Sequence, residues 1–164
     1  MSIESQLQEI YQEIAETVNN MIPEEWEKFY FYAQISETGG GTYFFYNCPQ
    51  EQEYYHYSLD IPDRFPISLT EFNKEKEKLF DLSAKLRNIF KEHNQELWYS
   101  FTMGLDREGK LSISFDYTDW FNTDYDFNEQ LTLWEFKYLN NIPEDEESKE
   151  LIKRYLDEYP HNPI

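Results

Sequence analysis

The chain contains a single cysteine, five glycines, seven prolines and only 14 Lys and Arg in 164 residues. Each shortage excludes something. Cys48 alone cannot form an intramolecular disulfide, and a lone thiol fits a reducing compartment. No apolar run approaches the ~18 residues needed to span a bilayer. Met1-Ser2-Ile3-Glu4 has neither a basic n-region nor an apolar h-region, so no signal peptide is expected and the expected location is cytoplasmic. The basic residues face 33 Asp and Glu, giving a net charge of −19. Phosphates and anionic head groups repel such a surface, so neither nucleic acid nor membrane is an expected partner.

Acid and aromatic residues are what the chain has in plenty. Aromatics make up 19% of it. Acidic disordered chains are poor in aromatics, so the acid is carried on a folded body. A small domain needs a net charge of only about 2–8 in magnitude to stay dispersed. The excess repels itself, and a basic partner is the simplest reason to keep it. The length fits one domain, residues 1–164.

Periodicity predicts the elements. Ile3, Leu7, Ile10, Ile14 and Met21 recur at helical spacing, with Thr17 in the remaining slot, so Ile3 to Met21 reads as a helix. Its stripe packs on the same chain or, as an alternative, forms the seam of a homodimer. Phe29, Phe31, Ala33 and Ile35 alternate with Tyr30, Tyr32 and Gln34, a strand. Thr38 to Gly41 reads as a turn, Thr42 to Asn47 as the returning strand and Tyr54 to Leu59 as a third. Ile61-Pro62-Asp63 and Phe65-Pro66 read as a loop.

Ser68-Leu69-Thr70-Glu71 has capping-box spacing and opens a long helix. Phe72, Leu79, Leu82, Leu86, Ile89 or Phe90, and His93 share its inner side; Lys74, Lys78, Asp81, Lys85 and Arg87 fall on a solvated face. Leu97, Tyr99, Phe101, Met103 and Leu105 alternate against Trp98, Ser100 and Thr102. Asp106 to Gly109 then turns the chain into a return strand through Leu111, Ile113, Phe115 and Tyr117. Helices are expected over Phe127 to Leu139 and Pro143 to Tyr155. The plan is α+β: an antiparallel sheet built from two hairpins, with helices on one face or end.

Reaction chemistry finds little support. His56, His93 and His161 lack the context of a Cys-His site with Cys48, so no catalytic residue is assigned. Gly39-Gly40-Gly41 lies between strands with no following Lys-Ser or Lys-Thr, a poor phosphate cradle. Asp124, Asp126, Asn128 and Glu135 fall at calcium-loop spacing, but Glu129 stands where the turn needs Gly. The bland alternative is a helix cap from Asp124, Asp126 or Asn128. No metal and no cofactor is assigned.

The remaining feature is a run in which carboxylates and large aromatics interleave, Asp116 to Phe127. Aromatics anchor interfaces and carboxylates steer basic partners. The expected partner-binding residues are Asp116, Asp119, Asp124, Asp126 and Glu129 as electrostatic contacts, with Tyr117, Trp120, Phe121 and Tyr125 as anchors where exposed. From Asp116 onward thirteen acids oppose four bases, so these 49 residues hold −9 of the total.

Several segments resemble the YezG-like immunity proteins of Gram-positive bacteria: Leu97-Trp98-Tyr99-Ser100-Phe101-Thr102-Met103, the Asp106 to Gly109 turn, Phe115-Asp116-Tyr117, Ile22-Pro23-Glu24-Glu25-Trp26, Ile61-Pro62, and Trp134-Glu135-Phe136-Lys137-Tyr138-Leu139. The resemblance spans nearly the whole chain in order. It implies a non-catalytic protein that neutralises a co-encoded, secreted LXG-type polymorphic toxin, often a nuclease, by stoichiometric binding in the cytosol. The implied partner is the cognate basic toxin domain. One departure is Asn140-Asn141, where a Gly is expected after Tyr-Leu. The competing readings are a dimeric protein-interaction module and a metal- or carboxylate-dependent hydrolase.

Overall fold

The Ile3 periodicity becomes helix α1, Ile3–Met21, in a computed structural model that describes residues 2–164. Ser2 caps it by accepting from the Ser5 N–H at 3.2 Å. Strands β1 (Lys28–Ser36), β2 (Gly39–Cys48) and β3 (Glu51–Tyr57) follow as an antiparallel meander. A short helix α2 (Ile61–Arg64), the long helix α3 (Leu69–Glu92), β4 (Ser100–Asp106) and β5 (Leu111–Asp116) come next. The last helices are α4 (Phe127–Tyr138) and α5 (Glu146–Glu158). The five-stranded antiparallel sheet has the order β3-β2-β1-β4-β5, so the two expected hairpins meet at the β1–β4 pair. The fold class is α+β. Among the described residues no helix is long and apolar enough to cross a membrane.

Contacts divide the chain into two units, Met1–Phe115 and Asp116–Ile164. In the first, one sheet face carries Phe29, Phe31, Ala33, Ile35, Phe44, Tyr46, Phe101 and Met103. They share a core with Ile10, Ile14, Val18 and Met21 of α1 and Leu79, Leu82, Leu86 and Ile89 of α3. Burying one such side chain contributes about 1.5–3 kcal/mol, so this layer dominates the unit's stability. The α1 stripe is therefore spent inside its own chain. The other sheet face is rich in tyrosine: Tyr32 accepts from Gln34 Nε2 at 2.8 Å, and Phe45 stacks on Tyr57 at 4.7 Å. The second unit has its own core, formed by Trp120, Tyr125, Leu133, Ile152, Tyr155 and Ile164.

Several expectations need correction. The first hairpin turns at Glu37-Thr38, and Gly39 to Gly41 already belong to β2. Position 40 has to be glycine: its φ is +151°, and a Cβ would lie 1.8 Å from the Gln34 carbonyl oxygen. The Ile61 to Asp63 loop is the helix α2, because proline fits a helix's first turn. Trp98 lies in the core against Phe101 at 5.0 Å and Phe115 at 5.7 Å, on the side from which alternation excluded it. The strand starts only at Ser100, so the two-residue period does not reach back that far. Arg87 is buried, not solvated: its Nε donates to the Trp98 carbonyl at 2.7 Å and its Nη1 to Glu37 at 3.0 Å. Helix α5 begins at Glu146, capped by Asp145, three residues after Pro143. Asn140, in place of the expected glycine, has φ +53°, a left-handed conformation asparagine tolerates just past a helix end.

We expect Gly40→Ala to destabilise the protein by about 1–3 kcal/mol, because the positive φ and the Gln34 carbonyl both oppose a Cβ there. Gly39→Ala meets the same backbone cost at φ +140°, but nothing lies within 4 Å of the added Cβ, so it should cost less. Urea unfolding of the two variants checks this. Equal losses would mean the Gln34 contact is relieved by a local shift.

Candidate partner-binding surface

The segment from Asp116 to Asp126 is irregular, yet hydrogen bonds fix its shape. Asp116 accepts from the Thr118 N–H at 2.9 Å and from Trp120 Nε1 at 2.6 Å. A short 3-10 turn runs through Trp120–Asn122. Thr123 Oγ1 donates to the Trp120 carbonyl at 2.9 Å, and Gln130 Nε2 donates to the Tyr125 carbonyl at 2.6 Å. Asp126 caps α4, and Glu129 returns the bond to the Asp126 N–H, completing a capping box.

These bonds sort the nine expected residues. Asp116, Trp120 and Tyr125 are buried, with exposures of 6%, 2% and 4%. They hold the second unit together and offer a partner no surface. Trp120 packs against Tyr125, Tyr155 and Tyr159 at centroid distances of 5.1–6.0 Å. Tyr117 and Phe121 are 43% and 45% exposed, and Asp124 and Asp126 are exposed. Asp119 is half-buried, accepting from Asn122 Nδ2 at 2.6 Å. Glu129 is half-buried at the helix start. The expected anchors thus divide into two core residues and two surface residues. Sequence pattern could not separate them, since an irregular segment has no period to assign inside and outside.

Burial also shifts protonation. Desolvation raises the Asp116 pKa above the usual 3.8, against the opposing pull of the Trp120 and Thr118 hydrogen bonds. Burial lowers that of Lys137, which donates to the Asn162 carbonyl at 2.7 Å. The Asp145 carboxyl is held below the ordinary range by the Ser148 bonds at the start of α5.

Beside the loop, α4 and α5 enclose a groove of about 660 Å³. It is lined by Asp126, Glu129, Glu147 and Glu150, with Arg154 as its one cation, and by Asn128, Thr132, Ser148 and Leu151. Arg154 lies over the Tyr125 ring at 4.6 Å and within 3.4 Å of Glu129, so part of its charge is already engaged. The sequence reading missed Glu147 and Glu150. The signal was present: Glu147, Glu150 or Leu151, and Arg154 recur at three and four residues, one face of a helix. The calcium-loop spacing is not a loop, since from Phe127 onward it lies in α4 and Asp126 is the cap. The arrangement is an acidic concavity, suited to receiving lysine and arginine side chains.

A family model described as "Immunity protein YezG-like" matches residues 7–153. The chain belongs to the YezG-like immunity protein family. Among relatives of the YezG-like chain, the "Immunity protein YezG" of Bacillus subtilis (strain 168) is 33% identical over 150 residues, 92% of this chain and 99% of the relative. The "Type VII secretion system protein EsaG" of Staphylococcus aureus (strain NCTC 8325 / PS 47) is 37% identical over 146 residues, 89% of each chain. "Immunity protein YezG" of Bacillus spizizenii (strain ATCC 23059 / NRRL B-14472 / W23) is 31% identical over 148 residues, 90% of this chain and 91% of the relative. The YezG-like match extends over both structural units.

Proposed function

We propose that this protein is a cytoplasmic immunity protein that binds a co-encoded basic toxin domain, a nuclease, and neutralises it stoichiometrically without catalysis. In this reading residues 1–164 act as one immunity domain. Family membership supports the immunity role. The observation that carries the mechanism is the acidic groove of α4 and α5, which has four carboxylates and a single, partly engaged arginine. A nuclease must present positive charge to phosphates. A folded acidic surface competes for that charge and excludes substrate. The contacts we assign are Asp124, Asp126, Glu129, Glu147 and Glu150, with Phe121 and Tyr117 as the exposed aromatics. Asp119 lies at the margin.

Mixing the purified chain with the basic C-terminal domain of the toxin encoded beside it should give a one-to-one complex on size exclusion. Nuclease activity should fall in proportion to the added chain and reach zero near equivalence. Absence of a complex at micromolar concentrations, or inhibition far below equivalence, would contradict stoichiometric capture.

A further inference from the structure

The hairpin of β2 and β3 and the connection before β1 bring together three side chains that are far apart or unremarkable in the sequence. Glu24 comes from the connection between α1 and β1, Cys48 from the end of β2 and His56 from β3. Their ligand-capable atoms all lie within 4.8 Å of one another, and all three residues are half-buried. Among the described residues, no other cluster of this kind occurs. A shift of register between Tyr46 and Cys48 locally breaks the β2–β3 pairing where Cys48 meets the hairpin. Such irregularities re-aim side chains, often beside functional sites.

We propose that Glu24, Cys48 and His56 form a binding site for a borderline-soft divalent transition-metal cation, with zinc the first candidate. Thiolate sulfur, imidazole nitrogen and carboxylate oxygen are the donors such ions take, and hard cations do not select them. Bonds of about 2.0–2.3 Å to one ion would hold the three donor atoms within about 4 Å of one another. Three protein ligands leave one tetrahedral position for water.

The surroundings fit that role. Tyr46 Oη donates to Glu24 Oε2 at 2.6 Å, and Arg64 Nη2 donates to the same oxygen at 3.2 Å. Arg64 Nη1 also reaches the Tyr46 hydroxyl at 3.0 Å. Partners of this kind orient a ligating carboxylate. The His56 ring sits between Tyr46 at 5.2 Å and Tyr54 at 4.8 Å. Burial and Arg64 lower its pKa, keeping it in the neutral form that binds metal. Burial and Glu24 raise that of Cys48, so the empty site holds a thiol. Binding therefore replaces the thiol proton with the metal and releases that proton to the buffer. The nearby Arg64 charge opposes a cation, so we expect affinity below that of four-ligand structural zinc sites. The occupied site would tie the α1–β1 connection to the hairpin that forms the sheet's edge.

The test uses the full chain without an affinity tag, stripped of metal and titrated with zinc against a chromophoric chelator. Millimolar magnesium occupies the exposed carboxylates. One equivalent should bind with micromolar or tighter affinity. Cys48→Ser and His56→Gln should each weaken binding at least tenfold while circular dichroism stays unchanged. Independently of either variant, zinc should slow alkylation of the wild-type chain's single cysteine at least tenfold. No saturable one-to-one binding, affinity unchanged in folded Cys48→Ser and His56→Gln, or alkylation indifferent to zinc would each overturn the site.

Discussion

Trp120→Ala is expected to destabilise the second unit by about 3–5 kcal/mol, the loss typical of a fully buried large aromatic. Trp120 is 2% exposed and packs on three tyrosine rings. Its indole N–H also meets the buried Asp116 carboxylate at 2.6 Å. Truncation would open a cavity and leave that carboxylate with the hydrogen bonds from Thr118 alone. Trp120→Phe separates the two effects: it keeps most of the packing, loses the hydrogen bond and should cost about 1–3 kcal/mol.

Asp116→Asn supplies the pH control. The folded pKa of Asp116 is raised above 3.8, so the native state holds its proton more tightly than the unfolded state does. That contribution is fully present below pH 3.8 and is lost as pH rises through the folded value. The wild type should therefore gain on Asp116→Asn as pH falls from neutrality toward 3.8. Denaturant unfolding, with hydrogen exchange over residues 116–164, measures both effects. Unchanged stability in Trp120→Ala together with lost partner binding would instead make Trp120 a surface anchor.

Asp124→Lys combined with Glu150→Lys should slow association with the toxin domain by about tenfold or more at low ionic strength. Electrostatic steering changes on-rates by about 10–10³-fold, and the pair alters the local charge by four. Both side chains are exposed, so each should change stability by no more than about 0.5 kcal/mol. Buried ion pairs can cost more to desolvate than they return, which places the main effect in the association rate. Glu77→Lys with Asp81→Lys, on the exposed face of α3, makes the same change in net charge elsewhere. It should slow association much less. Equal slowing by the two pairs would assign the effect to total charge and remove the assigned loop and groove contacts from the account.

The sequence made some of this legible because local rules suffice for it. Ser68 and Glu71 mark the start of α3 through a cap, and Asp106 accepts from the Glu108 and Lys110 N–H groups to shape the second hairpin. The alternation of β1 places Phe29, Phe31, Ala33 and Ile35 on the core face as expected. Long-range pairing was not legible. Cys48 and His56 lie eight residues apart, and only the β2–β3 hairpin makes them neighbours. Arg87 reads as one more charge on a solvated face until Trp98 supplies its carbonyl acceptor. Composition found the acidic region from Asp116 onward but not its concave part. The groove exists only because α4 and α5 lie side by side. The same limit explains the aromatics, since tyrosine and tryptophan serve cores and interfaces equally well.

The most direct measurement is the association rate constant of the wild-type chain with its cognate toxin domain across a series of salt concentrations. Acidic capture predicts a fast rate at low salt that falls steeply as salt rises, with Asp124→Lys/Glu150→Lys losing most of that slope. A rate independent of salt, or the same slope in wild type and variant, would contradict it.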